Sequence, residues 1–348
     1  MTTIVDVARI ANVSVSTVSH VMNGTKNVSD ETRLRVESAI RESQFTPHQV
    51  ARSLRSGRTK AIGFVVSDTS QYIFGQMITE VERGLRNAGQ TLLLANSGED
   101  REQELRAVRS LLDHRVDGMI IAPVADSDPE IFEYCADAGC PVILVDRTSE
   151  PGFDRVGIDN RAAMKSLAMH LIEAGHRDVA LIAGDLGVWT LRERAEGFSE
   201  ALKQAGIALT SRSMLTTERG LTDSEREIEG FLSGEERPSA VIAASGLLTV
   251  GALRAFQALK LSVPDDIAFV TFDEMMNSEF FTPRLTCFIQ PVEAIGRAAT
   301  QLLETRLADA DAPPRAIRVP GALFHGDSCG CGGRIPLTLL PSSTDQDA

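Results

Sequence analysis

The chain has 348 residues, of which 43% are hydrophobic and 24% are charged, and its formal net charge is −13 at pH 7. This is the composition of an ordinary globular protein with enough residues to bury a substantial core. No apolar run approaches the ~20 residues that span a bilayer, and the N-terminus lacks the basic start and apolar stretch of a secretory signal. These totals exclude membrane and secreted proteins, and we expect a cytoplasmic location.

The N-terminal segment is predicted to form three short helices. Thr3 and Asp6 have the spacing of a capping box for a helix that ends near Ala11. Ser14 is a candidate N-cap for a second helix running to about Asn23, and a third begins after Ser29 with acidic residues in its first turn. The apolar residues that share one face of each helix should form a common core: Val7, Ala8, Ala11, Val18, Val21, Met22, Val36, Ala39 and Ile40.

The second helix places mostly small side chains on the face opposite its apolar residues. Val15, Ser16, Ser19 and His20 lie on that face. Side chains of this size allow a helix to enter the ~12 Å wide major groove of DNA and reach base edges. Two residues near the start of the helix are better placed for phosphate groups: Ser14 and Thr17. The alternative interpretation is a solvated helix face with a histidine exposed by chance.

Charge is distributed unevenly along the chain. Residues 1–60 contain nine Lys/Arg and five Asp/Glu, a net charge of +4, which leaves −17 for the remainder. A basic head joined to an acidic body is typical of nucleic-acid binding. The acidic body would repel DNA and so confine the contact to the head.

Beyond Pro47 the sequence changes twice. The polar, basic segment from His48 to Lys60 is typical of a linker. From Ala61 onward, apolar strands alternate with amphipathic helices, which predicts parallel sheets covered on both faces. The length of this region is enough for two adjacent α/β lobes. The predicted strands are Ile62–Val66, Thr91–Ala95, Met119–Ala122, Pro141–Val145, Val179–Ala183, Ala240–Ala244 and Ile267–Phe272.

The sequence contains no G-x-G-x-x-G, G-K-[ST] or H-E-x-x-H motif. We therefore expect no enzymatic activity, no catalytic residue and no cofactor. Its five cysteines are an odd number without a C-x-x-C pair, which argues against a disulfide framework and fits a reducing compartment. Cys329-Gly-Cys331 lacks partner ligands at zinc spacing, so no metal site is expected there.

The N-terminus resembles the DNA-binding head of the lactose-repressor (LacI/GalR) family over residues 4–24, IVDVARIANVSVSTVSHVMNG. The similarity continues, in order, through VSDETR (28–33), ARSLRSGRT (51–59), RVDGMI (115–120), GIDN (157–160), AGHR (174–177) and LTxxxQP (285–291). It therefore covers nearly the whole chain. A transport binding protein of the same fold is disfavoured by the basic head and the missing signal.

The resemblance implies an α/β protein with an N-terminal three-helix helix-turn-helix head and a two-lobed periplasmic-binding-protein-like domain. The implied domains are a helix-turn-helix DNA-binding domain at 1–46, a hinge helix or linker at 47–60, an effector-binding, dimerising domain at 61–332 and a disordered tail at 333–348. The implied function is a transcriptional regulator, in most members a repressor, that binds a palindromic operator as a homodimer. The C-terminus lacks the leucine-heptad helix of the family's tetramers, so we expect a dimer.

In the family, the positions of Val15, Ser16 and His20 contact major-groove bases, and the hinge enters the minor groove. Leu54 matches the leucine that is inserted between base pairs and kinks the duplex. The DNA-contacting residues that we expect are Ser14, Val15, Ser16, Thr17, Ser19, His20, Asn23, Ala51, Leu54 and Arg55.

An effector is expected between the lobes, near the carboxyl ends of the strands. Arg194 and Asp273 match a cleft arginine and a cleft acid of the family, and Phe74 matches an aromatic residue that packs against the ligand. The full predicted set is Phe74, Trp189, Arg194, Ser245 and Asp273. A structural ion pair for the two charged residues, and plain packing for the two aromatic ones, are the competing interpretations.

The sequence departs from the family near this cleft. Ser245-Gly246 stands where an Asn-Asp pair is usual, and Gln71-Tyr72-Ile73-Phe74 stands where Asn-Pro-Phe-Phe is common. The loss of an acid and an amide reduces the hydrogen-bonding capacity for a polyhydroxylated ligand. A sugar or sugar derivative is therefore the expected effector, with a non-sugar ligand such as a purine, or a protein co-repressor, as the alternatives.

Overall fold

The computed structural model describes residues 2–23, 28–43, 58–125, 127, 129–148, 152–217, 221–234, 236–332 and 338–339. The chain divides into two compact units, Met1–Lys60 and Ala61–Ala348. Residues 47–57 of the predicted hinge, and residues 333–337 and 340–348 of the predicted tail, lie outside the described residues. Thr338–Leu339, within the tail predicted to be disordered, instead form a strand that pairs with Ala322 and Leu323. Among the described residues, the structure has no helix with the length and apolar character needed to cross a membrane.

The first unit contains the three helices that were predicted, α1 Ile4–Ala11, α2 Val15–Asn23 and α3 Asp30–Ser43. The capping box of α1 is confirmed, since the Thr3 side chain accepts from the Asp6 N–H and the Asp6 carboxylate accepts from the Thr3 N–H. The turn to α2 passes through Asn12 in the left-handed conformation, with φ of 51°, which asparagine tolerates better than most residues. Ser14 Oγ then accepts from the Thr17 N–H at 3.1 Å and caps α2 as predicted.

A small apolar core joins the three helices of this unit. Val7 of α1, Val18 of α2 and Val36 of α3 have no exposed surface. The buried members are Val7, Ala8, Ala11, Val18, Val36 and Ala39, with Ile4, Val13, Val21, Met22 and Ile40 packed at its edge. The predicted apolar faces are confirmed, and they leave the opposite face of α2 for other contacts.

The second unit contains two sheets, one in each lobe. The strands are β1 Ala61–Val66, β2 Thr91–Asn96, β3 Gly118–Ile121, β4 Val142–Val145, β5 Asp154–Gly157, β6 Val179–Ile182, β7 Met214–Leu215, β8 Ala240–Ala243, β9 Ala268–Phe272, β10 Thr286–Ile289, β11 Ala316–Arg318, β12 Ala322–Phe324 and β13 Thr338–Leu339. The first sheet has the order β11-β5-β4-β3-β1-β2 and the second β13-β12-β10-β9-β8-β6-β7. Strand β12 pairs antiparallel with β10 and β13, whereas the core strands are parallel.

Helices cover these sheets, as the alternating pattern predicts. They are α4 Tyr72–Asn87, α5 Arg101–Asp113, α6 Glu130–Asp137, α7 Asn160–Glu173, α8 Trp189–Gln204, α9 Leu221–Leu232, α10 Gly246–Leu259 and α11 Val292–Ala308, with a 3₁₀ turn at Ser278–Phe280. Central strands such as β3, β4 and β8 are fully buried, because both faces are covered. The predicted α/β architecture with two lobes is confirmed.

The chain crosses between the lobes three times, after β5, after β10 and after β11. Consequently α11 packs against β3, β4 and β5 of the first lobe although it follows the second lobe in sequence. Arg306 on α11 forms an ion pair of 2.7 Å with Asp154 of β5, whose side chain is 2% exposed. The first lobe is therefore assembled from two separate parts of the chain.

Helices α7 and α8 pack closely, and Gly197 permits the approach. A Cβ at this position would overlap the carbonyl oxygen of Arg161 on α7. Alanine stabilises an exposed helix by about 1 kcal/mol relative to glycine, but overpacking typically costs about 1–3 kcal/mol. We expect Gly197→Ala to lower the free energy of unfolding in a urea titration.

The matched control is Gly230→Ala on α9, where a Cβ meets open space and about 0.5–1 kcal/mol of stabilisation is expected. Equal gains in stability for both variants would contradict the close packing.

Candidate functional site

The candidate DNA surface lies on α2 of the first unit. Ser14, Val15 and Ser16 at the start of this helix are exposed, whereas Ser19 and His20 in its next turn are partly buried. The hydroxyl of Ser14 lies 2.7 Å from that of Ser16, so the capping network also orients this polar patch. Most side chains on this surface are small, as entry of a helix into a DNA groove requires.

Of the remaining predicted DNA contacts, only Thr17 is fully described by the structure. Thr17 is partly buried, and its Oγ1 lies 2.8 Å from Ser14 Oγ. Asn23 ends α2, but the placement of its side chain lies outside the described part of the chain. Ala51, Leu54 and Arg55 also lie outside the described residues. The DNA-contacting set therefore stays a prediction, of which the α2 residues share one surface.

A cavity of about 620 Å³ lies between the two sheets of the second unit. Its lining comes from residues that follow the carboxyl ends of strands in both lobes, from Asp68 after β1 to Gln290 after β10. This is the position at which parallel α/β sheets bind ligands, and the volume is that of a small-molecule site. The predicted location of the effector site thus has a cavity large enough to hold one.

Arg194 on α8 lines this cavity and is only 3% exposed. Its Nε donates to Asn160 Oδ1 at 2.9 Å, and its Nη1 donates to the Ala244 carbonyl oxygen at 2.8 Å. The guanidinium carbon lies 3.6 Å from the centre of the Phe272 ring. Burial lowers the pKa of Arg194, and the negative charge of Asp273 opposes that shift. Neutral groups accept hydrogen bonds from Nε and Nη1. Among the described residues none accepts from Nη2, which can therefore donate to a ligand.

Asp273 directly follows β9 and has a φ of 79°. Side chains rarely adopt this left-handed backbone, which is retained mainly where the surroundings or the function require it. Its Oδ1 accepts from Gln290 Nε2 at 2.6 Å. Burial raises the pKa of Asp273, while Arg194 and the Gln290 hydrogen bond oppose that shift. The described side chains of Arg194 and Asp273 form no direct ion pair, although each affects the pKa of the other.

The first lobe contributes a second acidic residue that the sequence prediction missed. Asp146 follows β4 and, like Asp273, has a positive φ, of 60°. Its neighbour Arg147 forms two hydrogen bonds with the Glu99 carboxylate, at 2.8 and 2.6 Å, and a third with the Pro123 carbonyl oxygen. Burial alone would lower the pKa of Arg147, but the hydrogen bonds and charge of Glu99 outweigh it and raise that pKa. The position after a predicted strand was the signal that could have identified this pair.

The other predicted effector residues fall in two groups. Phe74 and Ser245 line the cavity together with Arg194 and Asp273. Ser245 caps α10, because its Oγ accepts from the Leu248 N–H at 3.4 Å. Trp189 is not among the described residues that line the cavity. Trp189 is the first residue of α8 and is partly buried. The Arg318 guanidinium lies 5.6 Å from its ring centre, so its placement favours packing against the segment that crosses between the lobes after β11.

Two family models match the chain in the order of these two units. Residues 3–48 match the model described as bacterial regulatory proteins of the lacI family. Residues 59–327 match the model for periplasmic binding proteins and the sugar-binding domain of the LacI family. The chain belongs to the LacI family. The predicted family membership is therefore confirmed, and as a member the protein is a DNA-binding transcriptional regulator with an effector-binding domain.

Similar proteins of the LacI family include the HTH-type transcriptional repressor PurR of Klebsiella pneumoniae (strain 342), at 33% identity over 95% of this chain and 98% of that protein. PurR of Escherichia coli O139:H28 is 32% identical over the same shares. Among solved structures, the lac repressor dimer bound to operator and the anti-inducer ONPF has a TM-score of 0.83 and 25% identity, covering 94% of this chain and 99% of that one. The complex of the transcriptional regulator CelR with cellobiose has a TM-score of 0.70 and 28% identity, covering 94% and 100%.

Proposed function

We propose that this LacI-family protein is a repressor that binds a palindromic operator as a homodimer and is released or recruited by an uncharged, sugar-like effector. The effector occupies the cavity that contains Arg194 and Asp273. Because the proposed target is chromosomal DNA in a bacterial cell, we place its action in the cytoplasm. We also propose that the protein performs no catalysis and that its cavity serves binding alone.

The charge balance of the cavity carries the proposal about the effector. Six carboxyl groups line it, those of Asp68, Glu99, Asp100, Asp146, Asp185 and Asp273, against two guanidinium groups, those of Arg147 and Arg194. Glu99 already neutralises Arg147. A phosphate or carboxylate on the ligand would therefore meet an excess of negative charge where water screens it poorly. Hydroxyl groups suit this lining, because carboxylates accept hydrogen bonds from them.

The shape of the cavity and one relative support the same ligand class. A volume of about 620 Å³ accommodates a mono- or disaccharide, and the solved relative CelR is a complex with the uncharged disaccharide cellobiose. Phe74 supplies an apolar wall to the cavity, where a sugar ring can pack. Asp146 and Asp273 provide acceptors from opposite lobes, so a ligand bound to both would hold the two lobes together.

A thermal-shift screen of the full-length protein tests this proposal. The ligands are neutral mono- and disaccharides, their phosphorylated forms and uncharged purine bases. A true effector at ~100 times its Kd should add roughly 2.7 kcal/mol of stability, and we expect that increase only from neutral sugars. A larger shift from a sugar phosphate would overturn the charge argument. A larger shift from a purine base would replace the sugar with a nucleobase.

The variant Asp273→Asn tests the site itself. Asparagine retains an oxygen for the Gln290 hydrogen bond but removes the charge that strengthens a bond from a ligand hydroxyl. Hydrogen bonds to charged groups contribute about 1.5–3 kcal/mol. Calorimetry should therefore measure a Kd for the effector that is roughly 10- to 150-fold higher. Asp265→Asn, at an exposed position that does not line the cavity, is the control and should leave the Kd unchanged. An unchanged Kd in Asp273→Asn would remove this residue from the binding site.

A further inference from the structure

Two histidines and two cysteines meet at one end of the second lobe, away from the effector cavity. His170 lies on α7, His325 follows β12, and Cys329 and Cys331 lie in the segment after it. The side-chain donor atoms of His170, His325 and Cys331 all lie within 4.8 Å of one another. Cys329 Sγ lies 3.1 Å from Cys331 Sγ. None of the four residues lines the effector cavity.

The hydrogen-bonding state of the two imidazoles points to a missing partner. His170 Nε2 and His325 Nδ1 are buried and have no hydrogen-bond partner among the described residues. The two rings lie edge to face with their centres 4.5 Å apart. A buried polar atom without a partner typically costs about 1–3 kcal/mol. Two such atoms beside the same thiol are unusual for plain core packing.

We propose that His170, His325, Cys329 and Cys331 form a binding site for a Zn²⁺ ion. Two imidazoles and two thiolates are a common ligand set for structural zinc. Tetrahedral coordination places such donors roughly 3.3–3.8 Å apart. The donor atoms of His170, His325 and Cys331 are already close to that spacing, and the Cys329 thiol, 3.1 Å from that of Cys331, would have to leave its contact with the Gly326 carbonyl oxygen. Each cysteine loses its proton to solvent on binding, and each histidine binds as the neutral ring.

The backbone around the two cysteines is already fixed. Ser328 Oγ accepts from the Thr286 N–H at 2.8 Å and donates to the Phe269 carbonyl oxygen at 2.5 Å. Gly330 and Gly332 on either side of Cys331 adopt positive φ values of 69° and 66°, which suits glycine. The segment therefore presents its thiols towards α7 without a large loss of backbone entropy on binding. The ion would connect this C-terminal segment to His170 on α7. The same helix begins with Asn160, whose side chain accepts a hydrogen bond from Arg194.

Spacing along the sequence gives no indication of this ligand set. Cys329-Gly-Cys331 lacks neighbouring ligands at zinc spacing, and His170 comes from a distant helix. The site goes beyond the proposed regulatory function, and neither depends on the other.

Metal binding to the reduced, chelator-treated full-length protein tests the proposal. We expect one Zn²⁺ per chain with a Kd below roughly 10⁻⁷ M. Saturation should raise Tm by about 5–10 °C. Cobalt in place of zinc should give a thiolate-to-cobalt charge-transfer band and the visible spectrum of a tetrahedral site. Cobalt bound without the thiolate band, or zinc bound more weakly than about 10⁻⁶ M, would overturn the proposal.

Two variants locate the binding to these residues. Cys331 is only partly buried, so Cys331→Ser should fold, and both it and His325→Asn should lose the tight site and most of the Tm shift. The matched controls are Cys135→Ser, at a buried thiol of the first lobe, and His176→Asn, in the connection between α7 and β6. Full zinc affinity in Cys331→Ser and His325→Asn would place the ion elsewhere and refute this site.

Discussion

Arg194→Ala is expected to yield a repressor that binds its operator with unchanged affinity but no longer responds to the effector. The side chain lines the cavity, where Asn160 and the Ala244 carbonyl oxygen orient its guanidinium. Loss of hydrogen bonds from a buried charge costs about 1.5–3 kcal/mol of binding free energy. The effector Kd should therefore rise roughly 10- to 150-fold. An effector acts only through the difference between its affinities for two conformations, so losing its contacts uncouples it from DNA.

Fluorescence anisotropy of labelled operator, with and without effector, measures this response. Arg194→Lys keeps the charge but loses the planar fork of donors, and it should recover little of the response. Arg192→Ala, at an exposed position on the same helix, is the control for effects of helix composition. A thermal melt of each variant separates loss of the contact from loss of the fold. A wild-type effector response in a folded Arg194→Ala protein would refute the assignment.

His20→Ala is expected to weaken recognition at one base position in each half of the operator. A good contact to a base edge contributes about 1–3 kcal/mol of discrimination, and two copies in a palindromic site double that to about 2–6 kcal/mol for the dimer. Affinity for DNA of unrelated sequence should change little, because phosphate contacts dominate nonspecific binding. Selection from a randomised operator library, followed by titration of single base substitutions, measures the change.

Ser38→Ala provides a comparison on an exposed part of α3, and we expect it to leave base preference unchanged. Deletion of residues 1–60 should abolish operator binding while leaving effector binding intact, because the second unit has its own core. Operator binding by the truncated protein, or a uniform loss across all sequences in His20→Ala, would contradict base recognition by α2.

The sequence predicted the elements whose signals are local. The three head helices have caps and apolar faces within their own residues, and the buried parallel strands are continuous apolar runs. The prediction missed six of the described strands, among them β5, with the sequence DRVG, and β11, with the sequence AIR. Both are short and partly polar, and they become strands because the neighbouring sheet edge pairs with them. Such tertiary pairing leaves little periodicity to detect.

The candidate effector site was partly predictable for the same reason. Asp273 and Ser245 follow strands that are visible in the sequence, and the resemblance identified Arg194 and Phe74. Asp146 and Arg147 follow the predicted strand Pro141–Val145, so the same rule could have identified them. Trp189 also lies a short distance after a predicted strand, but Arg318, which is far away in the sequence, lies beside its ring. No local pattern reveals such a neighbour, so the sequence could not show that Trp189 lies outside the cavity lining.

The three crossings between the lobes also determine when each lobe can fold during synthesis. Residues of β1 to β5 leave the ribosome early, yet α11 and β11 follow only after most of the second lobe has been made. Until then, the edge of β5 has no neighbour on one side, and the carboxylate of Asp154 lacks its partner Arg306. An open sheet edge invites pairing with other chains. We therefore expect the first lobe to be most exposed to pairing with other chains until Arg318 has emerged from the ribosome.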